Sequence, residues 1–82
     1  MPQGYNFPYV AKDDVPYWRY KFGQGPKATN IAGTIRKGGL IHVQGPAGGW
    51  GGTHQSGYLM GVGRIIVRIG DFLPAPATLT NN

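Results

Sequence analysis

Cysteine is absent from this 82-residue sequence, so no disulfide ties the chain and no thiolate can act as nucleophile or metal ligand. The two histidines cannot by themselves fill a four-ligand zinc site. Acidic side chains are almost as scarce, with Asp13, Asp14 and Asp71 against eight lysines and arginines. Asp13 and Asp14 are adjacent, and neighbours in an extended chain project to opposite sides, whereas an acid/base pair must converge on one bond. Their place before Pro16 reads as a turn. Long apolar runs are missing too. The longest, 58 to 69, is interrupted by Gly61, Gly63, Arg64 and Arg68, which excludes a spanning helix. The opening "MPQGYNFPYV" lacks the basic and then apolar order of a secretory leader. No contact with a membrane is expected, and the cytoplasm is one expected location.

Several chemistries fall with these shortages. A nucleotide phosphate loop needs a Gly-Lys-Ser/Thr ending, and the glycine-rich stretch "QGPAGGWGGTHQSG" (44–57) holds no lysine. Gly23, Gly25 and Ala28 in "GQGPKA" mimic a dinucleotide fingerprint, but Pro26 interrupts it and no buried strand precedes it, so it reads as a turn. His54, Ser56 and Asp71 could be assembled into a hydrolase triad, yet nothing around Ser56 makes a nucleophile elbow. His42, His54 and Asp71 have no metal-ligand spacing. The expectation is a non-enzyme with no catalytic, cofactor-binding or metal-binding residues and no cofactor.

What is present is glycine (15), proline (7) and ten aromatic rings, with a net charge of +5. Ile, Leu, Val and Phe make only 18 of the 82 residues, so the core is thin and one domain is the limit. Small domains with thin cores compensate through disulfides, metals or self-association, and here only the last is open.

"RIIVRI" (64–69) alternates with period two: Ile65, Val67 and Ile69 face one way, Arg64, Ile66 and Arg68 the other. It predicts a half-buried strand running over 58–69, with Leu59 and Leu73 continuing the buried parity. "NIAGTIRKGGLIHVQ" predicts a hairpin with a three-residue loop, Lys37 to Gly39, setting Ile35 opposite Ile41, Gly33 opposite Val43 and Thr34 opposite His42. "PYWRYKF" predicts a strand with Trp18, Tyr20 and Phe22 on one face and Tyr17, Arg19 and Lys21 on the other. The fold class is therefore all-β: a small antiparallel sheet or barrel-like domain with extended N- and C-terminal arms and a long Gly-rich loop, 45–57. Residues 1–30 form an aromatic and proline-rich arm with the first strand, 30–73 the antiparallel core, and 74–82 an extended tail.

Seven of the ten rings precede residue 23, more than a slim sheet is expected to shelter. Tyr5, Phe7, Tyr9, Tyr17, Trp18, Tyr20, Trp50 and Phe72 are the expected contacts with partner subunits, meaning further copies of the chain and a larger structural protein. Trp50 has two readings: a ring folded over the sheet, or an anchor inserted into a neighbour. The overall character, a short cysteine-free, glycine-rich β chain with proline-bearing arms and an uncharged tail, resembles small phage virion components that decorate or cement capsids. That resemblance implies a structural role in many copies. The alternative is a nucleic-acid-binding small β-barrel, in which Trp18 and Tyr20 stack on bases while Arg19, Lys21, Arg36, Lys37, Arg64 and Arg68 meet phosphates.

Overall fold

Alternating apolar and polar residues, punctuated by glycine and aspartate, build strands joined by sharp reversals. The computed structural model describes residue 5 and residues 7–21, 25–44 and 52–75. Phe22, Trp50, most of the glycine-rich loop and the tail beyond 75 lie outside the described residues. The strands are β1 (Phe7–Ala11), β2 (Val15–Arg19), β3 (Ile31–Ile35), β4 (Leu40–Val43), β5 (His54–Leu59), β6 (Gly63–Arg68) and β7 (Phe72–Pro74). Single 3₁₀ turns at Ala28–Asn30 and Ile69–Asp71 complete the described elements. All pairs are antiparallel in one sheet of order β3-β2-β6-β5-β4-β1-β7. The all-β class expected from the sequence is the observed one. Among the described residues no pairing joins β3 to β7, so the sheet curls without closing.

One face of the sheet turns inward. Ala11, Val15, Ile35, Ile41, Val43, Ile65, Val67 and Phe72 form a single buried cluster, with Tyr9, Tyr17, Leu59 and Val62 packed against it. Each such aliphatic removed from water contributes about 1.5–3 kcal/mol. Gln55, opposite Val67, is the polar residue buried on this face. Tyr17 pairs with Gly33, and its ring lies where any larger residue at position 33 would clash: a Cβ there would come within 2.7 Å of the phenol. The glycine in β3 thus makes room for a tyrosine to cap the interior.

The expected hairpin between β3 and β4 does not form. The chain bends at Lys37 to Gly39 without reversing, and Gly38 takes the left-handed conformation (φ 85°). The two strands leave the turn for different neighbours, however: β3 pairs with β2, and β4 with β1 and β5. His42 consequently lies opposite Pro8 and Tyr58 rather than Thr34, and Thr34 lies opposite Pro16. The cause is a set of backbone bonds that place β1 against the turn. Gly38 N–H donates to Ala11 O (2.9 Å), and Ala11 N–H donates to Gly39 O (3.0 Å). Asp14 Oδ1 accepts the Lys37 N–H (2.9 Å), and Lys12 N–H donates to Asp71 O (2.9 Å). These bonds make a corner clasp linking the β1–β2 turn, the β3–β4 turn and the start of β7. The supposed N-terminal arm is therefore integral to the sheet, since β2 lies between β3 and β6, and β1 between β4 and β7.

The single strand expected over 58–69 is also divided. The parity read from "RIIVRI" holds through Arg68, but Val62 N–H donates to Leu59 O (3.0 Å), and the chain turns back. Gly61 and Gly63 take φ of 86° and 105°, values that side chains disfavour. Residues 54–57, expected in the loop, instead belong to β5, and Leu73 is exposed because the Ile69–Asp71 turn resets the alternation.

Nothing lies within 4 Å of a Cβ built at Gly61, so a substitution there tests backbone conformation alone. Gly61→Ala is expected to lower stability by about 1–2 kcal/mol, and Gly61→Asn by less. Urea unfolding measures both; an unchanged midpoint for the alanine variant would refute this turn geometry.

Candidate functional site

The outward face of the sheet carries most of the polar chemistry, and cross-strand partners place it in rows. One row is Trp18, Ile66 and Ser56; the next is Arg64, Tyr58, His42 and Pro8; a third is Leu40, Val10 and Leu73. Side chains paired in this way are close neighbours.

Tyr5 covers the first two rows. Its ring is 1% exposed, its hydroxyl shares a 3.0 Å hydrogen bond with Ser56 Oγ, and its centroid lies 6.3 Å from that of Tyr58. The Arg64 guanidinium stands 5.6 Å over the Tyr5 ring and 4.9 Å over Tyr20, a cation held between two π faces. Trp18 lies flat enough to be 8% exposed; its Nε1–H donates to Lys27 O (2.7 Å), and its ring meets His54 edge-on at 5.3 Å. Ile66 beneath them is almost fully buried. The sheet thus has a second, aromatic layer outside the curl.

The candidate residues consequently divide. Tyr5, Trp18 and Phe72, expected to contact partners, are enclosed by the chain itself, because the outer layer and the interior cluster absorb them. Tyr9 and Tyr17 pack against the interior and Tyr20 against Arg64, leaving Phe7, at 46% exposed, as the open ring of that set. Trp50 lies outside the described residues. Trp18 faces away from the interior cluster, opposite to Val15 and Tyr17, and Tyr20 lies with Arg64 on that outer side, so the expected division of "PYWRYKF" into faces holds at Tyr17, Trp18 and Tyr20, with Tyr17 on the inner side.

The cations divide as well. Arg64 is exposed but engaged over the Tyr5 and Tyr20 rings, and Arg68 holds Asp71 through Nε (3.0 Å) and a second nitrogen (3.1 Å). Arg36 and Lys37 lie in the turn at the clasp, beside Asp14. Arg19 and Lys21 are exposed and line an open groove of about 360 Å³ together with Trp18, Gly25, Asn30, Ile31 and Ala32. Sequence reasoning missed Asn30, Ile31 and Ala32, because the groove arises from β2 meeting the segment that leads into β3. It also missed the Leu40–Val10–Leu73 row, which needs the β4–β1–β7 pairing to exist.

A hydrolytic triad is not assembled. Ser56 is bonded to Tyr5, Asp71 to Arg68, and His54 Nδ1 to Thr53 Oγ1 (2.7 Å). No group of three or more metal-ligating side chains occurs among the described residues. No described helix is long and apolar enough to cross a membrane. Burial pushes the His54 pKa down, Arg68 pushes it further, and Asp71 acts against both. His42 is lowered chiefly by burial, and its Nε2 has no hydrogen-bond partner among the described residues. Both imidazoles are thus held toward the neutral form.

These features define a class: an open, curled, seven-stranded antiparallel domain with apolar cover on both faces, one cationic groove and an aliphatic row at one margin. No family model, curated protein or solved structure matches the chain.

Two outcomes follow. Tyr5→Ala is expected to cost about 3–5 kcal/mol, as loss of a buried ring does, and Tyr5→Phe about 1 kcal/mol for the hydroxyl; denaturant unfolding reads both, and an unaffected Tyr5→Ala would show the outer layer to be dispensable. For pH, the unfolded chain takes up protons at histidines near 6.5 while the folded one resists. Stability is then full above that pH and falls as pH drops from 6.5 through the lowered folded values. Thermal melts at pH 7 and 5 should show the loss, and His42→Gln with His54→Gln should reduce it.

Proposed function

We propose that this protein is a non-enzymatic structural subunit that works in multiple copies, packing against itself and against a larger protein in an assembly such as a virus particle. The observation that carries this reading is the uncharged aliphatic row Leu40, Val10 and Leu73, which runs out to the open edge strand β7, where Leu73 is 55% exposed. An edge strand presents unpaired backbone groups, and apolar side chains beside it favour pairing with another chain. At the opposite edge, β3 reads "IAGTI", free of the charges and prolines that blunt such edges, and Ile31 is 49% exposed.

The contact surface in this reading differs from the one the aromatic count suggests. Tyr5, Trp18 and Phe72 stabilise the subunit, while Phe7, Ile31, Met60 and Leu73 are the large apolar groups offered outward among the described residues. The small aliphatic core is consistent with a chain that gains further burial on assembly. Ser56, His54 and Asp71 each hold a structural partner, which supports a role without chemistry.

Sedimentation over a concentration series tests the reading. Association should strengthen with concentration, and Leu73→Lys should shift it to higher concentration while leaving the thermal midpoint nearly unchanged. A monomer persisting to ~1 mM, an affinity limit of about 4 kcal/mol, would remove the self-association on which the proposal depends.

A further inference from the structure

The charges of this chain are sorted along its strands. Two of the three acids serve the clasp region with their carboxylates, Asp14 accepting the Lys37 N–H and Asp13 Oδ1 the Asp14 N–H, while Asp71 gives the clasp only its backbone carbonyl, to the Lys12 N–H, and its carboxylate holds Arg68. The far end of β2 carries Arg19 and, just beyond it, Lys21; Lys27 follows, exposed, with its carbonyl bound to the Trp18 indole. No acidic side chain pairs with Arg19, Lys21 or Lys27 among the described residues. Between these cations lies the groove, with the Trp18 ring, Ile31 and Ala32 as apolar wall and Asn30 as an amide.

We propose that this groove binds single-stranded nucleic acid. Arg19 and Lys21 line the open channel, and exposed Lys27 adjoins it through the Trp18 indole that its carbonyl holds, so three cations are available to the spaced phosphates of a single strand; a strand is also the polyanion with apolar faces to set against Ile31, Ala32 and the edge of Trp18. A duplex presents its bases inward and would leave that wall unused. Trp18 is a wall and not a stacking platform, because it is 8% exposed and its N–H is engaged. Arg36, Lys37, Arg64 and Arg68 take no part: the first two lie in the clasp turn, the third stands over the Tyr5 and Tyr20 rings outside the groove lining, and the fourth holds Asp71. Recognition is therefore by backbone charge and general apolar contact, with little sequence preference. The groove lies at the β2–β3 side of the sheet and shares Ile31 with the β3 edge, whereas the Leu40, Val10 and Leu73 row that carries the assembly proposal lies at the β7 margin; Leu73→Lys and the paired substitution of Arg19 and Lys21 therefore test the two functions separately.

The test is fluorescence anisotropy with a labelled oligo-dT of about twelve nucleotides, within the usual site sizes. Contacts to three phosphates give a salt slope near −2, since each single-strand phosphate contributes about −0.7; affinity should fall about 20-fold between 50 and 200 mM salt. Arg19→Ala with Lys21→Ala should weaken binding at least ~10-fold and flatten the slope toward −0.7. Arg36→Ala with Lys37→Ala removes the same charge and should change affinity less than ~2-fold. Inorganic polyphosphate should compete more weakly than unlabelled oligo-dT. Absence of binding at low salt overturns the proposal. So do equal losses in the two double variants, which would make binding a matter of net charge, and equal competition by polyphosphate, which would make the groove a general anion site. Both double variants substitute exposed side chains, and circular dichroism confirms that each is folded.

Discussion

Three consecutive residues of β6, Ile65, Ile66 and Val67, are all buried, and the remainder of the architecture answers that demand. A strand sends alternate side chains to opposite faces, so burying three in succession requires cover on both sides of the sheet. Ile65 and Val67 obtain theirs from the curl, which brings β1, β3, β4 and β7 around to the same cluster. Ile66 obtains its cover from outside, where Trp18 pairs beside it and the Tyr5 hydroxyl bonds to Ser56, its other cross-strand neighbour. A chain with few aliphatics thereby uses rings as its second core. Aromatic side chains suit this because each removes a large area from water and keeps a polar tip for a hydrogen bond at the margin.

The clasp decides how that sheet is threaded. Two short turns, at 12–14 and 36–39, are bonded to one another and to the end of the Ile69–Asp71 turn through backbone groups and the Asp14 carboxylate. Each turn carries the chain from one half of the sheet to the other, so β1 and β2 do not pair, nor do β3 and β4. Two strands are left at the margins, and the margins differ. β3 lies near the cationic groove, while β7 adjoins an aliphatic row. Because Asp13 and Asp14 sit at the clasp and the Asp71 carboxylate holds Arg68, the far end of β2 is left with uncompensated positive charge.

A surface divided in this way separates two kinds of contact. Uncharged edges with aliphatic neighbours favour another protein chain, whose backbone can complete the ladder. A charged channel with an apolar wall favours a flexible polyanion. The rings that dominate the first third of the sequence supply mainly stability, with Phe7 the exception that faces water.

Much of this was legible in the residues themselves. Strand character, the parity of Arg64 to Arg68 and the bend at Asp13 and Asp14 follow from local chemistry, since period and turn residues act over a few positions. The break at Gly61 was legible in principle, yet two glycines in an apolar run can mark either a close approach or a reversal, and backbone φ decides between them. Pairing partners were not legible. A local rule joins β3 to β4 because they are adjacent in sequence, whereas the clasp bonds of Ala11 to Gly38 and Gly39 compete from 27 and more residues away. The groove and the aliphatic row depend on those pairings and could not be read before them. Composition and periodicity alone determined an uncrosslinked, basic, all-β chain; tertiary structure decided which rings are enclosed and which cations stay free, because both depend on contacts between segments far apart in sequence.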